Sequence, residues 1–259
     1  MALVSYELAD DIAVLTLSRP EKRNAMSDAM LTDLAVAVDR AAREAKAAVL
    51  RGEGKHFCAG LDLAEHVEKT VMQGIAGSRE WHAVFTRIQR GAIPYFVALH
   101  GAVVGGGLEL AAAAHVRVAD ANTYFALPEG QRGIFVGGGG SVNVSRLMGV
   151  SRMMDLMLTG RVLSADEAER YGIVNYLAEP GGTFEKAMEL ARIAARNAPL
   201  SNYAIINALQ RIHDSGYDEG LFFESMIASL TQVTPEAHER LRAFLEKKAA
   251  RLAIPEAES

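Results

Sequence analysis

Residues 100–140 read HGAVVGGGLELAAAAHVRVADANTYFALPEGQRGIFVGGGG, and this stretch decides the fold. A strand ending in Val97-Ala98-Leu99-His100 runs through Gly101 into the triplet Gly105-Gly106-Gly107. Leu108-Glu109-Leu110 and a run of alanines follow, with helical character. Three adjacent glycines weaken a helix interior. At a helix start they let the backbone approach a ligand and leave unpaired N–H groups beside it. The alternative use is close helix–strand packing. The triplet is not a dinucleotide fingerprint, because Leu110 stands where the third glycine belongs, and no Gly-Lys-Ser/Thr follows to make a P-loop.

Glu109 lies one turn into this helix among apolar neighbours. No lysine or arginine occurs between Gly91 and Arg117. A buried carboxylate without a nearby cation is costly, and burial raises its pKa towards the range of a working proton donor or acceptor. Glu129 follows in Leu127-Pro128-Glu129-Gly130, and a second glycine run covers Gly137 to Gly140. Two carboxylates beside free N–H donors suit general acid–base chemistry on a substrate whose oxygen becomes negative.

Working outward, 259 residues are enough for one large domain, or one domain with an appendage. Half the residues are apolar, 23% are charged and the net charge is −5. That balance argues against nucleic acid as the main partner. The N-terminal MALVSYELADD lacks a signal-peptide pattern, and no window reaches the length of a membrane span. The single cysteine, Cys58, excludes an intrachain disulfide and cysteine-rich zinc sites. The seven histidines form no HExxH pair, so no metal is expected. Together these features point to the cytoplasm. Cys58 reads as structural, since His56 faces the opposite side of an extended segment. His100 reads as a hydrogen-bonded histidine that also has the position to line a site. Lys22 and Arg23 lie in a solvated loop that an anionic ligand can reach.

Residues 4–17 predict a hairpin, with Ile12, Val14 and Leu17 as the apolar residues of its second strand. Ser18 to Met26 reads as an irregular basic loop. Ser27 caps a helix with Leu31, Leu34, Val38 and Ala42 on one face. Ala47 to Leu50 is a buried strand, and Lys55 to Leu63 leads towards a helix. Residues 66–80 lack a period and read as a mobile loop, with Trp81 to Gln89 helical after it. Strands are predicted at Val116–Ala119, Thr123–Ala126 and Val174–Leu177. Helices are predicted at Ser141–Met148, at Arg152–Leu158 and after the capping box Ser164-x-x-Glu167. A long helix from Thr183 stops before Pro199, and only helices follow. Strand–helix alternation implies an α/β fold with helices packed outside sheets. The predicted division is a core over 1–199 and a helical region over 200–259.

A series of motifs then resembles the crotonase superfamily, the enoyl-CoA hydratase/isomerase family. The motifs are Arg19-Pro-Glu-Lys-Arg-Asn-Ala-Met-Ser27, Phe57-Cys-Ala-Gly-Leu-Asp-Leu63 and His100-Gly-Ala-Val-Val-Gly-Gly-Gly-Leu-Glu-Leu110, followed by Pro128-Glu129, Leu158-Thr-Gly160 and Tyr171-Gly-Ile-Val-Asn175. The match covers about residues 3–200 in order. It implies a crotonase-like spiral of ββα units, followed by C-terminal helices that build a homotrimer, often paired into hexamers. It implies an acyl-CoA thioester ligand, no separate cofactor and no metal. The thioester carbonyl is placed between the backbone N–H groups of Leu61 and Gly106. Ala25, Ala59 and Asp62 fall where the family lines its CoA groove, with Lys22 near the CoA phosphates. Glu109 and Glu129 match the two hydratase glutamates, implying water addition to a trans-2-enoyl-CoA.

The sequence departs from the family at His100, where asparagine is usual, and at Gln131, Arg132 and Val136. If Arg132 pairs with Glu129 and holds it ionised, a Δ3-Δ2-enoyl-CoA isomerase or another enolate-forming enzyme is the better reading. A non-catalytic acyl-CoA-binding subunit is the alternative of a different class. Acyl selection is assigned to residues 66–90, Phe135 and the C-terminal helices.

Overall fold

The computed structural model describes residues 2–65 and 69–246. In chain order its first part runs β1 (Val4–Ala9), β2 (Ile12–Leu17), α1 (Asp28–Glu44), β3 (Ala47–Gly52), α2 (Val71–Gln89), β4 (Tyr95–Ala98), β5 (Ala102–Val104) and α3 (Gly106–Ala113). It continues with β6 (Val116–Asp120), β7 (Tyr124–Ala126), α4 (Gly140–Met148), α5 (Val150–Thr159), β8 (Leu163–Ser164), α6 (Ala165–Arg170), β9 (Tyr176–Ala178) and α7 (Thr183–Ala195). The chain clusters into two compact units, 1–197 and 198–259.

The main sheet has six strands in the order β1-β2-β3-β4-β6-β9. Only β1–β2 is antiparallel; every later pairing is parallel. The β1–β2 turn is the expected hairpin, with Asp10 at φ 54°. A second sheet of three strands, β5-β7-β8, stands apart from the first.

The alternation of side chains along β2 shows which layer each of its apolar residues serves. All six residues of β2 are buried. Ala13, Leu15 and Leu17 pack with α1 residues such as Leu34 and Val38, whereas Ile12 and Val14 pack with Ala187, Met188 and Ala191 of α7. Leu17 therefore faces the opposite layer from Ile12 and Val14. A parallel sheet covered by helices on both faces produces such continuous apolar strands.

Helix starts agree with the chemistry of their caps. Ser27 Oγ accepts from Met30 N at 3.1 Å, and Ser164 and Glu167 form a complete capping box. The segment from Lys55 delivers only a 3-10 turn at Leu63–Glu65 rather than a helix. Pro199 does not merely follow the end of α7; it opens the next helix at its first turn.

The largest departure from the sequence reading is at residues 69–80. Residues 66–68 of the expected loop lie outside the described residues. From Val71 onward the chain is helical and continuous with the expected helix at Trp81. Thr70 and Gln73 form a capping box at its start. The missing period has a physical cause: Val71, Met72 and Ile75 are 80%, 72% and 52% exposed, so this half of α2 packs on no core.

The second unit holds α8 (Pro199–Asp214), α9 (Tyr217–Gln232) and α10 (Pro235–Leu245). Among its described residues there is helix and no strand. Leu221, Phe222, Phe223, Met226 and Leu230 of α9 are all about half exposed or more.

Replacing Thr70 with Ala removes one half of the α2 capping box. The expected loss is about 1 kcal/mol of local stability. Amide hydrogen exchange should read it as roughly fivefold faster exchange over residues 71–77, with the core strands unchanged.

Candidate active site

The site forms where three segments meet at the N-terminus of α3. Residues 57–62 run alongside β5: Phe57 N donates to His100 O, Cys58 N to Ala102 O and Val104 N to Cys58 O, at 2.8, 3.0 and 3.1 Å. The same segment is tied to the loop before α1, with Ala59 N donating to Arg23 O, Met26 N to Gly60 O and Asp62 N to Met26 O at 3.0, 2.7 and 2.9 Å. That loop is ordered, not irregular. Asn24 is fully buried at φ 55° and donates its side-chain amide to Glu53 O and His56 O at 2.9 and 2.8 Å.

This double anchoring brings the amides of Leu61 and Gly106 together. A Cβ built on Gly106 would lie 3.5 Å from Leu61 N, and one built on Gly60 would lie 3.3 Å from Gly106 N. Among the described residues neither N–H has a hydrogen-bond acceptor. Gly106 is the first residue of α3, so its N–H also carries the positive end of the helix dipole. The geometry is that of a two-donor site for a carbonyl or oxyanion oxygen.

All eight residues of α3 are buried, Glu109 among them at 4% exposure. Its charge is met by backbone instead of a cation. Glu109 Oε1 accepts from Gly138 N and from Gly140 N, both at 2.8 Å, which leaves Oε2 available to the cleft. The second glycine run therefore serves Glu109. A Cβ on Gly140 would sit 2.7 Å from Glu109 Cγ, so any side chain there displaces the carboxylate. Desolvation pushes the Glu109 pKa up, and the amides of the glycine run oppose it without cancelling it.

Glu129 is 5% exposed and enters from the end of β7, just before a 3-10 turn at Gly130–Arg132. Its Oε2 is buried and has no hydrogen-bond partner. Desolvation raises its pKa first and its own backbone N–H opposes that rise, while the charge of Glu109 adds to it against a weaker opposing field from Arg132. Arg132 itself is exposed and makes no ion pair with Glu129 among the described residues. Gly105 allows Glu129 its place: at φ 53°, a Cβ there would lie 2.6 Å from Glu129 Oε1.

Leu61, Gly106, Glu109 and Glu129 line one cleft enclosing about 560 Å³ of atom-free space, part of it open to solvent. Trp81, Ser78, Phe135 and Val136 complete its wall. Trp81, the only tryptophan, lies edge-on to Phe85 at 5.4 Å and packs against Gly106 and Gly138. The sequence reading placed it in a helix inside the 66–90 stretch assigned to acyl selection, without singling it out; its uniqueness was the available signal. Ala25, Ala59, Asp62 and Lys22 gather on the neighbouring loops rather than in this cleft. Asp62 is engaged by Arg19 at 2.7 Å, and that hydrogen bond holds its pKa below the usual carboxylate range. Lys22 is exposed.

The remaining candidates are structural. Cys58 is fully buried, donates to Asn24 O at 3.0 Å, and burial pushes its thiol up to about 12. His100 Nε2 sits 3.2 Å from Gly54 O, away from the carboxylate pair. No cluster of three or more His, Cys, Asp or Glu with metal-binding geometry occurs among the described residues.

Paired buried carboxyls opposite two unpartnered amides define a site for moving protons beside a polarised carbonyl. The chain belongs to the enoyl-CoA hydratase/isomerase family, whose sequence profile matches residues 7–253. It is 33% identical to 2,3-dehydroadipyl-CoA hydratase of Escherichia coli, covering 92% of this chain and 93% of that one. It is 32% identical to short-chain-enoyl-CoA hydratase of Clostridium acetobutylicum, covering 95% of both. A crystal structure of a candidate enoyl-CoA hydratase from Rhodopseudomonas palustris superposes with a TM-score of 0.92 at 47% identity, covering 95% of each chain. The fold is the crotonase-like one that the motif series implied.

The raised pKa of Glu109 carries a sign for stability. A carboxyl with a raised pKa favours the fold below its unfolded value, near about 4.3, and that benefit is lost as pH rises through the folded value. Glu109→Gln keeps an oxygen for the two glycine amides and removes the charge. It is expected to melt above the wild type at pH 8, with the gap closing as pH falls towards 4, in thermal unfolding across that range.

Proposed function

We propose that the protein is an enoyl-CoA hydratase, adding water reversibly across the double bond of a trans-2-enoyl-CoA. The observation that carries this reading is the shared cleft: both carboxyls and both free amides line it. The hydratase names of the relatives support it.

In the proposed reaction the thioester oxygen sits between Leu61 N–H and Gly106 N–H. Negative charge builds on that oxygen as water attacks C3, and the two donors stabilise it where it appears. The two carboxyls divide the proton transfers according to their surroundings. Glu109 has two amides on Oε1 to support its ionised form, so it orients water through Oε2 and takes its proton. Glu129 has a buried oxygen with no donor, which favours the protonated form, and it delivers a proton to C2. The chemistry calls for no metal or redox cofactor. The pantetheine arm is assigned to the surface of Ala25 and Ala59, with Asp62 holding Arg19 and shaping that loop, and with Lys22 near the CoA phosphates.

The isomerase reading depended on Arg132 locking Glu129, and no such ion pair forms. A non-catalytic acyl-CoA-binding role leaves two costly buried carboxyls without a purpose. Assembly as a homotrimer, or a pair of trimers, fits the exposed apolar residues of α9. Light scattering should return the mass of three or six chains.

Hydration of crotonyl-CoA, followed by loss of enoyl absorbance, tests the reading. Glu109→Gln and Glu129→Gln should each lower kcat/KM by about two to four orders of magnitude. Near-normal rates in both variants would overturn it. The wild-type pH profile should be bell-shaped, falling in acid as Glu109 protonates and in alkali as Glu129 ionises. Residual activity in Glu129→Gln should keep the acid limb and lose the alkaline one.

A further inference from the structure

We propose that Ser78 of α2 is a positioning residue for proton transfer at Glu109, acting through the peptide that joins Gly137 to Gly138. This rests on the enoyl-CoA hydratase reading and adds a residue to the machinery of that same site.

Glu109 Oε1 accepts from the amides of Gly138 and Gly140. Both amides belong to the run Gly137 to Gly140, and glycine has the greatest backbone freedom of any residue. Such a run does not hold its N–H groups in one direction by itself, so its peptides need anchors from outside. The downstream anchor is the start of α4: Gly139 O accepts from Val142 N and Asn143 N at 3.1 and 2.9 Å. The upstream anchor is Ser78, whose Oγ donates to Gly137 O at 2.6 Å across 59 residues of sequence. Among the described residues no other group donates to that carbonyl. A helical serine often turns its hydroxyl back to the carbonyl four residues earlier, as Ser145 does with Ser141 O at 2.6 Å. Ser78 directs its hydroxyl out of its own helix instead.

The carbonyl of Gly137 and the N–H of Gly138 belong to one planar peptide unit. The hydrogen bonds therefore run in series, from Ser78 Oγ–H to Gly137 O and from Gly138 N–H to Glu109 Oε1, at 2.6 and 2.8 Å. The first fixes the plane of the peptide, and in a buried setting it polarises the N–H that makes the second. Both effects favour the ionised carboxylate, which is the form that takes a proton from water. The one hydroxyl hydrogen serves this shorter contact, and His82 Nε2 stands 3.5 Å from the same oxygen. Glu129 and Lys69 line the cleft side of the glycine run, and His82, Arg90 and Arg146 line its other side. The Glu109 pKa answers first to burial and then to the amides of Gly140, Gly138 and Gly137.

The test follows enoyl-CoA hydration by Ser78→Ala and Ser78→Thr across pH. Ser78→Ala should lower kcat by about three- to tenfold near neutral pH. KM should stay within about twofold, because the amides of Leu61 and Gly106 still hold the thioester. The acid limb of kcat/KM should move up by about half a pH unit, since ionised Glu109 has lost part of its support. Ser78→Thr keeps the hydroxyl and should return the limb to its wild-type place. An acid limb unmoved in Ser78→Ala, or moved equally in Ser78→Thr, overturns the proposal, and so does a loss that appears in KM alone. If the wild type hydrates neither crotonyl-CoA nor trans-2-decenoyl-CoA, the hydratase reading fails, and the positioning role is read without turnover. Carbon-13 NMR of the glutamate carboxyls, with the Glu109 signal assigned by Glu109→Gln, should then show Glu109 titrating higher in Ser78→Ala than in the wild type. An unchanged midpoint overturns the proposal.

Discussion

The contact between Glu109 Oε1 and the amides of Gly138 and Gly140 is the constraint around which the site is built. It joins the buried helix after the first glycine run to the loop of the second, across 29 and 31 residues. A lysine or arginine in that place would have neutralised the carboxyl and fixed it as an ion pair. Two amide dipoles hold it in position without supplying a full positive charge. The carboxyl stays buried, oriented and above its ordinary pKa.

Glu129 completes an asymmetric pair. Its neighbours offer no donor to Oε2, and the closeness of Glu109 adds to the penalty for ionising it. Glu109 takes two glycine amides when charged and Glu129 only its own backbone N–H, so the two acids sit in different surroundings. Arg132 lies close enough to influence this balance, yet it remains in solvent and makes no ion pair with Glu129. The glycines at 105 and 140 are part of the same device, because each leaves the volume that one carboxyl occupies.

What was legible in the sequence was local or strongly periodic. The hairpin at Asp10, the Ser27 cap, the Ser164 box and the burial of α3 all follow from residues within a few positions of one another. Glu109 was legible as buried because every neighbour is apolar, and Glu129 as a second carboxylate ahead of a glycine run, to which the resemblance added a role. What holds Glu109 was not legible, since nothing local connects Gly138 to position 109. The first half of α2 was missed for a related reason. Periodicity reports a face packed on a core, and Val71 to Ile75 have none; they border a cleft, where Gly74 and Gly77 leave space. Trp81 fell in the right element and in the stretch assigned to acyl selection, but its place against the reacting carboxyl was not legible, because its contacts with Gly106 and Gly138 are purely tertiary.

Cys58 has a further consequence. It sits three residues from Leu61, within the segment that positions one of the two amides, and its sulfur is sealed in the interior with a thiol pKa of about 12. Thiolate is the species that attacks disulfides. On the proposed reading the protein works among coenzyme A and its oxidised forms, yet the chain has no other sulfhydryl to offer. It is thereby insulated from mixed-disulfide capture by the carrier group of its own substrate, and thiol-directed reagents should react slowly with the folded chain.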